Sequence, residues 1–204
     1  MRRAPPSHLL YLHGFRSSPR SFKAQRLLGW LREHCPGLQT WCPALPPSPQ
    51  EAMALVEQGT RDWPAEGSVV VGSSLGGFYA MAVVHARGWQ GVVMNPAVHP
   101  ARDLAAYIGE QHNFHDPDAH FFFRAAYIDE LRALTLPGLP GPLPAATAGR
   151  LLAVIATGDE LLDWREMHTR CEGAKIHLIQ GSDHALSDFD QHLPVILQHL
   201  ALCD

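Results

Sequence analysis

The stretch Val69-Val70-Val71-Gly72-Ser73-Ser74-Leu75-Gly76-Gly77 decides the fold. Its three valines form an apolar run without alternation, as expected for a strand that is buried on both faces. The segment Leu75–Arg87 is largely apolar and ends at Gly88, which predicts a helix. Between strand and helix, the sequence fits G-x-S-x-G with Ser74 at the centre. The stretch therefore predicts a strand, a tight turn that carries a serine, and a helix.

The glycines of this turn have a steric reason. A serine on a strand-to-helix turn adopts a strained backbone, so the residues two before and two after it must be small. Its hydroxyl then stands clear of the sheet, near the positive end of the helix. Ser73 lacks a small residue two positions later, which favours Ser74 as the nucleophile. A glycine-rich phosphate-binding turn is the alternative, but neither G-x-x-x-x-G-K-[ST] nor G-x-G-x-x-G is present.

Short apolar runs alternate with longer amphipathic segments along the chain, which is typical of a parallel sheet covered by helices. The predicted strands are His8–Leu12, 38–42, 68–71, 91–94, Leu151–Ala156 and Lys175–Ile179. The predicted helices are 19–34 (capped by Ser18), 50–58, Leu75–Arg87 and the segment after Pro194. Residues 100–149 are too long for a plain crossover and predict a cap-like insertion. The 204 residues thus predict one α/β domain with a mostly parallel sheet of about six strands and helices on both faces.

A serine hydroxyl becomes a good nucleophile only when a base removes its proton, and on this scaffold an acid and then a histidine follow the serine. Asp159 comes just after the strand Leu151–Ala156, and His184 comes just after Lys175–Ile179. Catalytic groups gather at the carboxyl ends of parallel strands. We therefore predict that His184 takes the Ser74 proton and that Asp159 orients the imidazole. Two neighbouring carboxylates remain alternatives for the acid: Glu160 and Asp163.

Two backbone N–H groups are predicted to stabilise the negative charge of a tetrahedral intermediate. One belongs to Leu75, and the other belongs to Phe15 in the loop 13–18. Gly14 lets this backbone approach the substrate, and we interpret His13 as an architectural residue that holds the loop. Five aromatic residues are candidates for an apolar acyl pocket: Tyr107, Phe121, Phe122, Phe123 and Trp164.

Composition excludes several classes of function. The chain has 16 basic and 20 acidic residues, a net charge of −4 and no run of Lys or Arg, which argues against nucleic-acid binding. No apolar stretch approaches the roughly 18–20 residues of a membrane span, and no signal-peptide cleavage site follows Met1-Arg2-Arg3. The cysteines lack a C-x-x-C pair, so we expect reduced thiols in a cytoplasmic protein. The four are Cys35, Cys42, Cys171 and Cys203.

The histidines raise the alternative of a metal site. A ligand cluster could be drawn from His112, His115, Asp116, Asp118 and His120. The segment has neither H-E-x-x-H nor a clear helix to hold the ligands in place, so we predict no metal and no organic cofactor. We interpret three other histidines as structural: His177, His192 and His199.

With these residues in place, the chain resembles the α/β-hydrolase fold and, within it, the YqiA/YcfP family of small bacterial esterases. The resemblance spans nearly the whole chain. It is carried by Tyr11-Leu12-His13-Gly14-Phe15, Ser17-Ser18-Pro19, Gly72-Ser73-Ser74-Leu75-Gly76-Gly77-Phe78-Tyr79-Ala80, Asn95-Pro96-Ala97-Val98, Thr157-Gly158-Asp159-Glu160-Leu161-Leu162-Asp163 and Asp183-His184-Ala185. The Pro/Gly-rich stretch 137–149 departs from the family pattern and affects the shape of the acyl pocket.

The resemblance implies hydrolysis of a small-molecule carboxylic ester or thioester, with Ser74, His184 and Asp159 as the triad and Phe15 and Leu75 as oxyanion donors. Fold alone does not confer function. Two alternatives therefore stay open: a non-catalytic binding module, and a peptidase, lactonase or acyltransferase that uses the same triad. The sequence gives no prediction of the oligomeric state.

Overall fold

The central sheet is built from the short apolar runs of the sequence. The computed structural model describes residues 4–114 and 116–202. The strands are β1 (His8–Leu12), β2 (Gln39–Trp41), β3 (Ser68–Ser73), β4 (Gln90–Met94), β5 (Gly109–Asn113), β6 (Asp116–Phe123), β7 (Leu151–Ala156) and β8 (Lys175–Ile179). Six of them form one parallel sheet in the order β2-β1-β3-β4-β7-β8. Every residue of β3 and β7 is buried, because helices cover both faces.

The helices divide the core into two layers. They are α1 (Phe22–His34), α2 (Pro49–Gly59), α3 (Leu75–Arg87), α4 (Pro100–Asp103), α5 (Ala126–Leu134), α6 (Ala145–Ala148), α7 (Trp164–Arg170) and α8 (Phe189–His199), with a 3-10 turn at Ala105–Tyr107. Leu9 and Tyr11 of β1 pack with α1 and α8, whereas Leu10 and Leu12 pack with α2 and α3. The two-residue period of the strand thus supplies both layers from one sequence.

The strand order fixes where a site can form. The chain leaves β1 for β2 on one side and then returns to β3 on the other side. The connections that follow β1 and β3 therefore diverge, and this opens a crevice at the carboxyl ends of the two strands. The loop 13–18 and Ser74 lie at these two strand ends.

The predicted parallel sheet with helices on both faces is confirmed, and three strands have the predicted bounds. Two predicted helix starts are wrong. The first helix begins at Phe22 rather than at Pro19, because Ser18 Oγ accepts the Arg20 N–H (3.1 Å) in a turn instead of capping a helix. The last helix begins at Phe189 and contains Pro194. Proline has no N–H to donate to the carbonyl of Asp190, but that residue is exposed to solvent, and the helix continues through Pro194.

Residues 100–149 form more regular structure than predicted. Strands β5 and β6 make a separate antiparallel hairpin, and the same stretch of sequence contains three helices and the 3-10 turn. The predicted helices include none in this segment, whereas α5 buries Ile128 and Leu131 against the core. This amphipathic helix of nine residues is separated from β6 by two residues, and the aromatic run before it obscures its period.

The described residues bear on two expectations from the sequence, one about membrane-spanning segments and one about the cysteines. No helix there has the length and apolar character that crossing a bilayer requires. Cys42 and Cys171 are free thiols, Cys35 Sγ donates to the Leu202 oxygen at 3.5 Å, and Cys203 lies outside the described residues. Burial raises the pKa of the Cys42 and Cys171 thiols to about 12, so the reactive thiolate form is scarce near neutral pH.

Candidate active site

Ser74 lies on the turn between β3 and α3 in a backbone conformation that its surroundings enforce. Its φ of 56° and ψ of −122° are rarely adopted by residues with a side chain. A methyl group at Gly72 would lie 2.1 Å from the Gly76 carbonyl oxygen, and one at Gly76 would lie 2.0 Å from the Leu12 oxygen. The Ser74 N–H donates to the Met94 oxygen at 3.0 Å. The two glycines therefore let the turn pack against the end of β1.

The loop after β1 contacts Ser74 directly. A methyl group at Gly14 would lie 3.1 Å from Ser74 Cβ. Leu75 is the first residue of α3, so its N–H is one of the donors that a helix leaves without an internal partner. In residues 4–114 and 116–202 no acceptor takes the Phe15 N–H. The loop 13–18 thus approaches Ser74 at Gly14, and both Phe15 and Leu75 line the pocket that Ser74 lines.

His13 is a buried side chain with both ring nitrogens engaged. The Leu45 N–H donates to Nε2 at 3.1 Å, and Nδ1 lies 3.0 Å from the Gly14 oxygen. Because Nε2 accepts a hydrogen bond, Nδ1 carries the proton and donates it to Gly14. This arrangement supports the architectural interpretation of His13 and leaves it no free nitrogen to act as a base.

Asp159 and His184 are brought together from the loops that follow β7 and β8. Asp159 Oδ2 lies 2.7 Å from His184 Nδ1, and the Asp159 side chain is fully buried while that of His184 is 16% exposed. The other carboxylate oxygen accepts the N–H groups of Leu161 and Leu162 at 2.9 and 2.8 Å. The carboxylate is therefore fixed on both sides, and Nε2 of the imidazole is left for another partner.

The two alternative acids, Glu160 and Asp163, accept backbone N–H groups and do not contact the imidazole. Glu160 Oε2 accepts the backbone N–H of His184 at 2.9 Å, so it holds the loop rather than the ring. Asp163 is the N-cap of α7, where its side chain accepts the Arg165 N–H. Of the three carboxylates, Asp159 is the one in contact with the imidazole.

Ser74 and His184 line one pocket. In the described part of the chain, no hydrogen bond joins the Ser74 hydroxyl to His184. Catalytic hydrogen bonds are often long without substrate and tighten when it binds. The structure thus pairs Asp159 with His184 and places Ser74 on the wall of the same pocket.

The loops that carry Asp159 and His184 are joined to each other by backbone packing. The Gly158 N–H donates to the Gly181 oxygen at 3.0 Å, and the Gly181 N–H donates to Thr157 Oγ1 at 2.8 Å. A methyl group at Gly158 would lie 2.3 Å from the Ser182 oxygen. The residue before Asp159 must therefore be small for the two loops to meet.

Asn95 is a positioning residue that the pattern reasoning missed. It is fully buried, and its Oδ1 accepts the Ala156 N–H at 2.8 Å. Its Nδ2 lies 3.1 Å from the Asp183 oxygen and 3.2 Å from the His184 oxygen. One amide thus ties β4, β7 and the histidine loop together. A polar residue directly after the apolar run of β4 was the available signal, because it stands at the carboxyl edge of the sheet.

Lys23 was missed as well. It lies on α1, is only 9% exposed, and its ammonium donates to the Ala185 oxygen at 2.6 Å and the His184 oxygen at 3.3 Å. Burial lowers its pKa to about 8, and the negative charges of Asp183, Asp159 and Glu160 oppose that shift. A lysine on the buried face of an amphipathic helix was the signal in the sequence.

The pocket has a volume of about 380 Å³, and a mixed set of residues lines it. Besides the site residues above, large apolar side chains from four segments reach its mouth. They are Phe22, Tyr107, Phe114 and Leu161, each between 38% and 64% exposed. An apolar pocket with a few convergent polar groups is the usual form of a small-molecule site.

The predicted acyl-pocket aromatics are only partly correct. Tyr107 lines the pocket, whereas Phe121 lines a second, smaller cavity of about 80 Å³ on the other side of Phe15 and Gly14. Phe122 is exposed and Phe123 is buried in the core, because neighbouring residues of a strand face opposite sides. Trp164 packs on the core at the start of α7 and does not line the pocket.

The insertion holds the loop that carries Phe15. The Phe114 N–H donates to the Arg16 oxygen at 2.8 Å, and Arg16 Nε donates to the His112 oxygen at 2.9 Å. The Arg16 guanidinium lies 4.4 Å from the Phe114 ring centre, within cation–π range. Arg16 itself has a φ of 56°. The hairpin thus fixes a strained backbone next to a predicted oxyanion donor.

The histidines of the hairpin form no metal site in the residues that the structure describes. The His112 and His120 rings pack edge to face at 4.3 Å, and His120 Nδ1 lies 3.3 Å from Glu110. His115 and the side chains of Asp116 and Asp118 lie outside the description. His177 and His192 bond to each other at 3.1 Å on the α8 side of the sheet.

Several solved structures share this fold. Alpha/beta hydrolase domain-containing protein 10 from mouse has a TM-score of 0.71 at 16% identity and covers 97% of this chain and 90% of its own. A lipolytic enzyme of the metagenome-derived LipS and LipT pair scores 0.69 at 16% identity over 100% and 97%. Est1E from Butyrivibrio proteoclasticus, bound to ferulic acid, scores 0.64 at 15% identity over 97% and 87%. The chain therefore has the α/β-hydrolase fold.

The sequence itself matches a family model over almost its whole length. The match runs from residue 8 to residue 201, from the first residue of β1 to two residues beyond α8. It therefore includes the serine turn, both loops that hold the Asp159–His184 pair, and the insertion. The chain belongs to the family described as Uncharacterised protein family UPF0227.

Proposed function

We propose that this protein is a serine hydrolase that cleaves carboxylic esters or thioesters through an acyl-enzyme. The observation that carries the proposal is the 2.7 Å contact of Asp159 with His184 Nδ1 on a pocket that Ser74 also lines. The names of the structural neighbours, among them an esterase and lipolytic enzymes, support the same reaction class.

Asp159 selects the tautomer that the reaction needs. Because its carboxylate accepts the Nδ1 proton, Nε2 holds a lone pair and can take the proton of the Ser74 hydroxyl. The serine oxygen attacks the carbonyl carbon, and the N–H groups of Phe15 and Leu75 stabilise the resulting oxyanion. The imidazolium then returns its proton to the leaving alcohol or thiol, which departs and leaves an acyl group on Ser74.

Water completes the cycle in a second half-reaction. His184 takes a proton from the water as its oxygen attacks the acyl carbon, and the imidazolium gives that proton to Ser74 as the acid leaves. The enzyme returns to its starting state without a metal or an organic cofactor. The apolar mouth of the pocket suits an ester whose organic group is uncharged near the carbonyl.

The decisive experiment combines labelling with turnover. We expect a fluorophosphonate to form an adduct on Ser74, located by mass spectrometry, and a chromogenic short-chain ester to be hydrolysed. Ser74→Ala should reduce turnover by about four orders of magnitude or more, since the nucleophile is lost. The neighbouring Ser73→Ala is the matched control and should keep turnover and labelling.

The same experiment separates the alternatives. Absence of both labelling and turnover in a folded wild-type protein would favour a non-catalytic binding module. Labelling of Ser74 without ester turnover would move the proposal to amides, lactones or an acyl acceptor other than water.

A further inference from the structure

Lys23 is a buried cation that the reaction above does not use. It stands in the first turn of α1, lines the pocket, and is one of only two lysines in the chain. The other, Lys175, is exposed at the start of β8. Placing an ammonium in a site this dry is costly unless its donors are paired. The position of Lys23 therefore calls for a specific role.

The ammonium is paired with the backbone of the catalytic histidine. It donates to the carbonyl oxygens of His184 at 3.3 Å and Ala185 at 2.6 Å. The same loop is held by Asn95 through the His184 oxygen and by Glu160 through the His184 N–H. Hydrogen bonds from a charged donor are roughly twice as strong as neutral ones, so Lys23 contributes a strong bond to this set.

The charges around Lys23 come from the two loops that it faces. Asp159 and Glu160 follow β7, and Asp183 and His184 follow β8. The three carboxylates stabilise the ammonium, but burial outweighs them and lowers its pKa from 10.5 to about 8. The charge of this group is therefore lost in a pH range where an exposed lysine keeps it.

We propose that Lys23 is a positioning residue for His184, whose ammonium holds the loop 183–185 so that the imidazole stays between Asp159 and Ser74. The inference rests on the proposed hydrolysis. A neutral amine is a weaker donor to the two carbonyls, so the imidazole is less well placed when the proton is lost. Misplacement of a base lowers kcat more than KM, because the ground-state contacts of a small ester stay in place.

Stability and activity respond to this proton with opposite signs. Since the folded pKa lies below that of an unfolded lysine, the unfolded chain binds more protons between about pH 8 and pH 10.5. This group thus adds stability as pH rises through that window. A loss of kcat through the same window then has its cause in the loop and not in unfolding driven by Lys23.

The test is a pH profile of kcat for four proteins. Wild type should lose kcat as pH rises through about 8, while KM for a short ester changes less than about twofold. Lys23→Arg keeps its charge, and its profile should stay flat to higher pH. Lys23→Met should have a kcat about tenfold to a hundredfold lower without that step. The control Lys175→Met should match wild type.

Two kinetic outcomes would overturn the proposal. One is a step near pH 8 that persists in both Lys23 variants, and the other is a Lys23→Met protein with wild-type kcat. If Lys23→Met does not fold, the comparison of the kcat profiles of wild type and Lys23→Arg still tests the proposal. In addition, NMR of ε-13C-lysine in wild type should show one of two signals titrating with the kinetic step. Two signals that both titrate near the ordinary lysine pKa would contradict the inference.

Labelling keeps this result separate from the proposed function. Fluorophosphonate labelling of wild-type Ser74 at pH 7 tests the reaction without reference to Lys23. If Ser74 is labelled but the pH step in kcat is the same in wild type and in the Lys23 variants, only the positioning role fails. If Ser74 is not labelled and no ester is turned over, the hydrolysis itself fails, and the role inferred for Lys23 fails with it.

Discussion

Ser74 and His184 face the same pocket but are held in place by different means. Ser74 is fixed by backbone sterics, because Gly72 and Gly76 leave room for no side chain between the turn and β1. The loop of His184 is fixed by polar side chains that come from distant parts of the chain. Those side chains are Lys23, Asn95, Asp159 and Glu160.

The difference separates two kinds of dependence. Steric exclusion at the serine turn is all-or-none. A methyl group at Gly76 or Gly72 would lie 2.0 or 2.1 Å from a backbone oxygen, and that oxygen cannot move aside without unfolding the strand. The histidine loop has several independent bonds, so each can be removed at a graded cost. We therefore expect substitution of Gly72 or Gly76 to abolish folding and substitutions around the histidine loop to lower the rate.

The largest effect is expected at Gly76. Gly76→Ala places a methyl group 2.0 Å from the Leu12 oxygen, and we expect little or no folded protein on expression and circular dichroism. Gly29→Ala is the matched control, since nothing lies within 4 Å of a methyl group there. It lies inside α1 and should stabilise the protein by about 0.5–1 kcal/mol. A folded, active Gly76→Ala protein would show that steric exclusion does not hold the serine turn in place.

Asn95 should show the next largest effect. Asn95→Ala leaves the Ala156 N–H and two carbonyl groups without their buried partner. We expect a loss of about 2–4 kcal/mol in urea unfolding and a kcat about a hundredfold lower.

A second substitution at the same position sharpens this prediction. Asn95→Asp keeps the acceptor for Ala156 but sets a carboxylate oxygen against the carbonyl groups of Asp183 and His184. It should lower kcat and lose at least as much stability as Asn95→Ala in urea unfolding, because a buried carboxylate that faces two carbonyl oxygens has no donor there. Equal kcat in Asn95→Asp and wild type would show that this amide does not hold the histidine loop.

Arg16 combines the two kinds of support, because it has both a strained backbone and long-range side-chain contacts. Arg16→Gly relieves the φ of 56° but removes the bond to the His112 oxygen and the contact with Phe114. We expect kcat to fall about tenfold with little change in stability, as the Phe15 N–H becomes less fixed. Arg16→Ala keeps the strain and should be less stable than Arg16→Gly in thermal unfolding. An unchanged kcat in both variants would separate the hairpin from catalysis.

The smallest effect is expected at Glu160. Glu160→Gln still accepts the His184 N–H, so kcat at pH 7 should fall no more than about threefold. The charge that it removes favours the Lys23 ammonium. The pKa of Lys23 should therefore fall further, and the alkaline loss of kcat should move to lower pH. Glu172→Gln, in an exposed turn, is the control and should leave the profile in place.

The comparison also explains what could be predicted from the sequence. The serine turn is local, so five residues and their flanking strand and helix are enough to find it. Chain order and the positions of the strand ends predict Asp159 and His184, which lie in contact in the structure. Lys23 and Asn95 both contact the His184 oxygen, and His184 lies 161 positions after Lys23 and 89 positions after Asn95. No short-range sequence pattern records such a contact.

The insertion was predicted as an interruption but not as a structure. Its helix α5 and its hairpin gain their stability by packing on Phe15 and the core, and this packing depends on the tertiary fold. The acyl-pocket aromatics were misassigned for the same reason. The strand face that Phe121, Phe122 and Phe123 each take depends on the register of β6 with β5.

The mouth of the pocket has a consequence for how the proposed hydrolase can diversify. Phe22 immediately precedes Lys23, Leu161 follows Asp159 by two positions, and Phe114 stacks on Arg16. Three of the four apolar residues at the mouth are thus coupled to a group that we propose aligns the reacting atoms. Selection for a new substrate at any of these positions would alter the turnover of the old one, so substrate range and speed are inherited together.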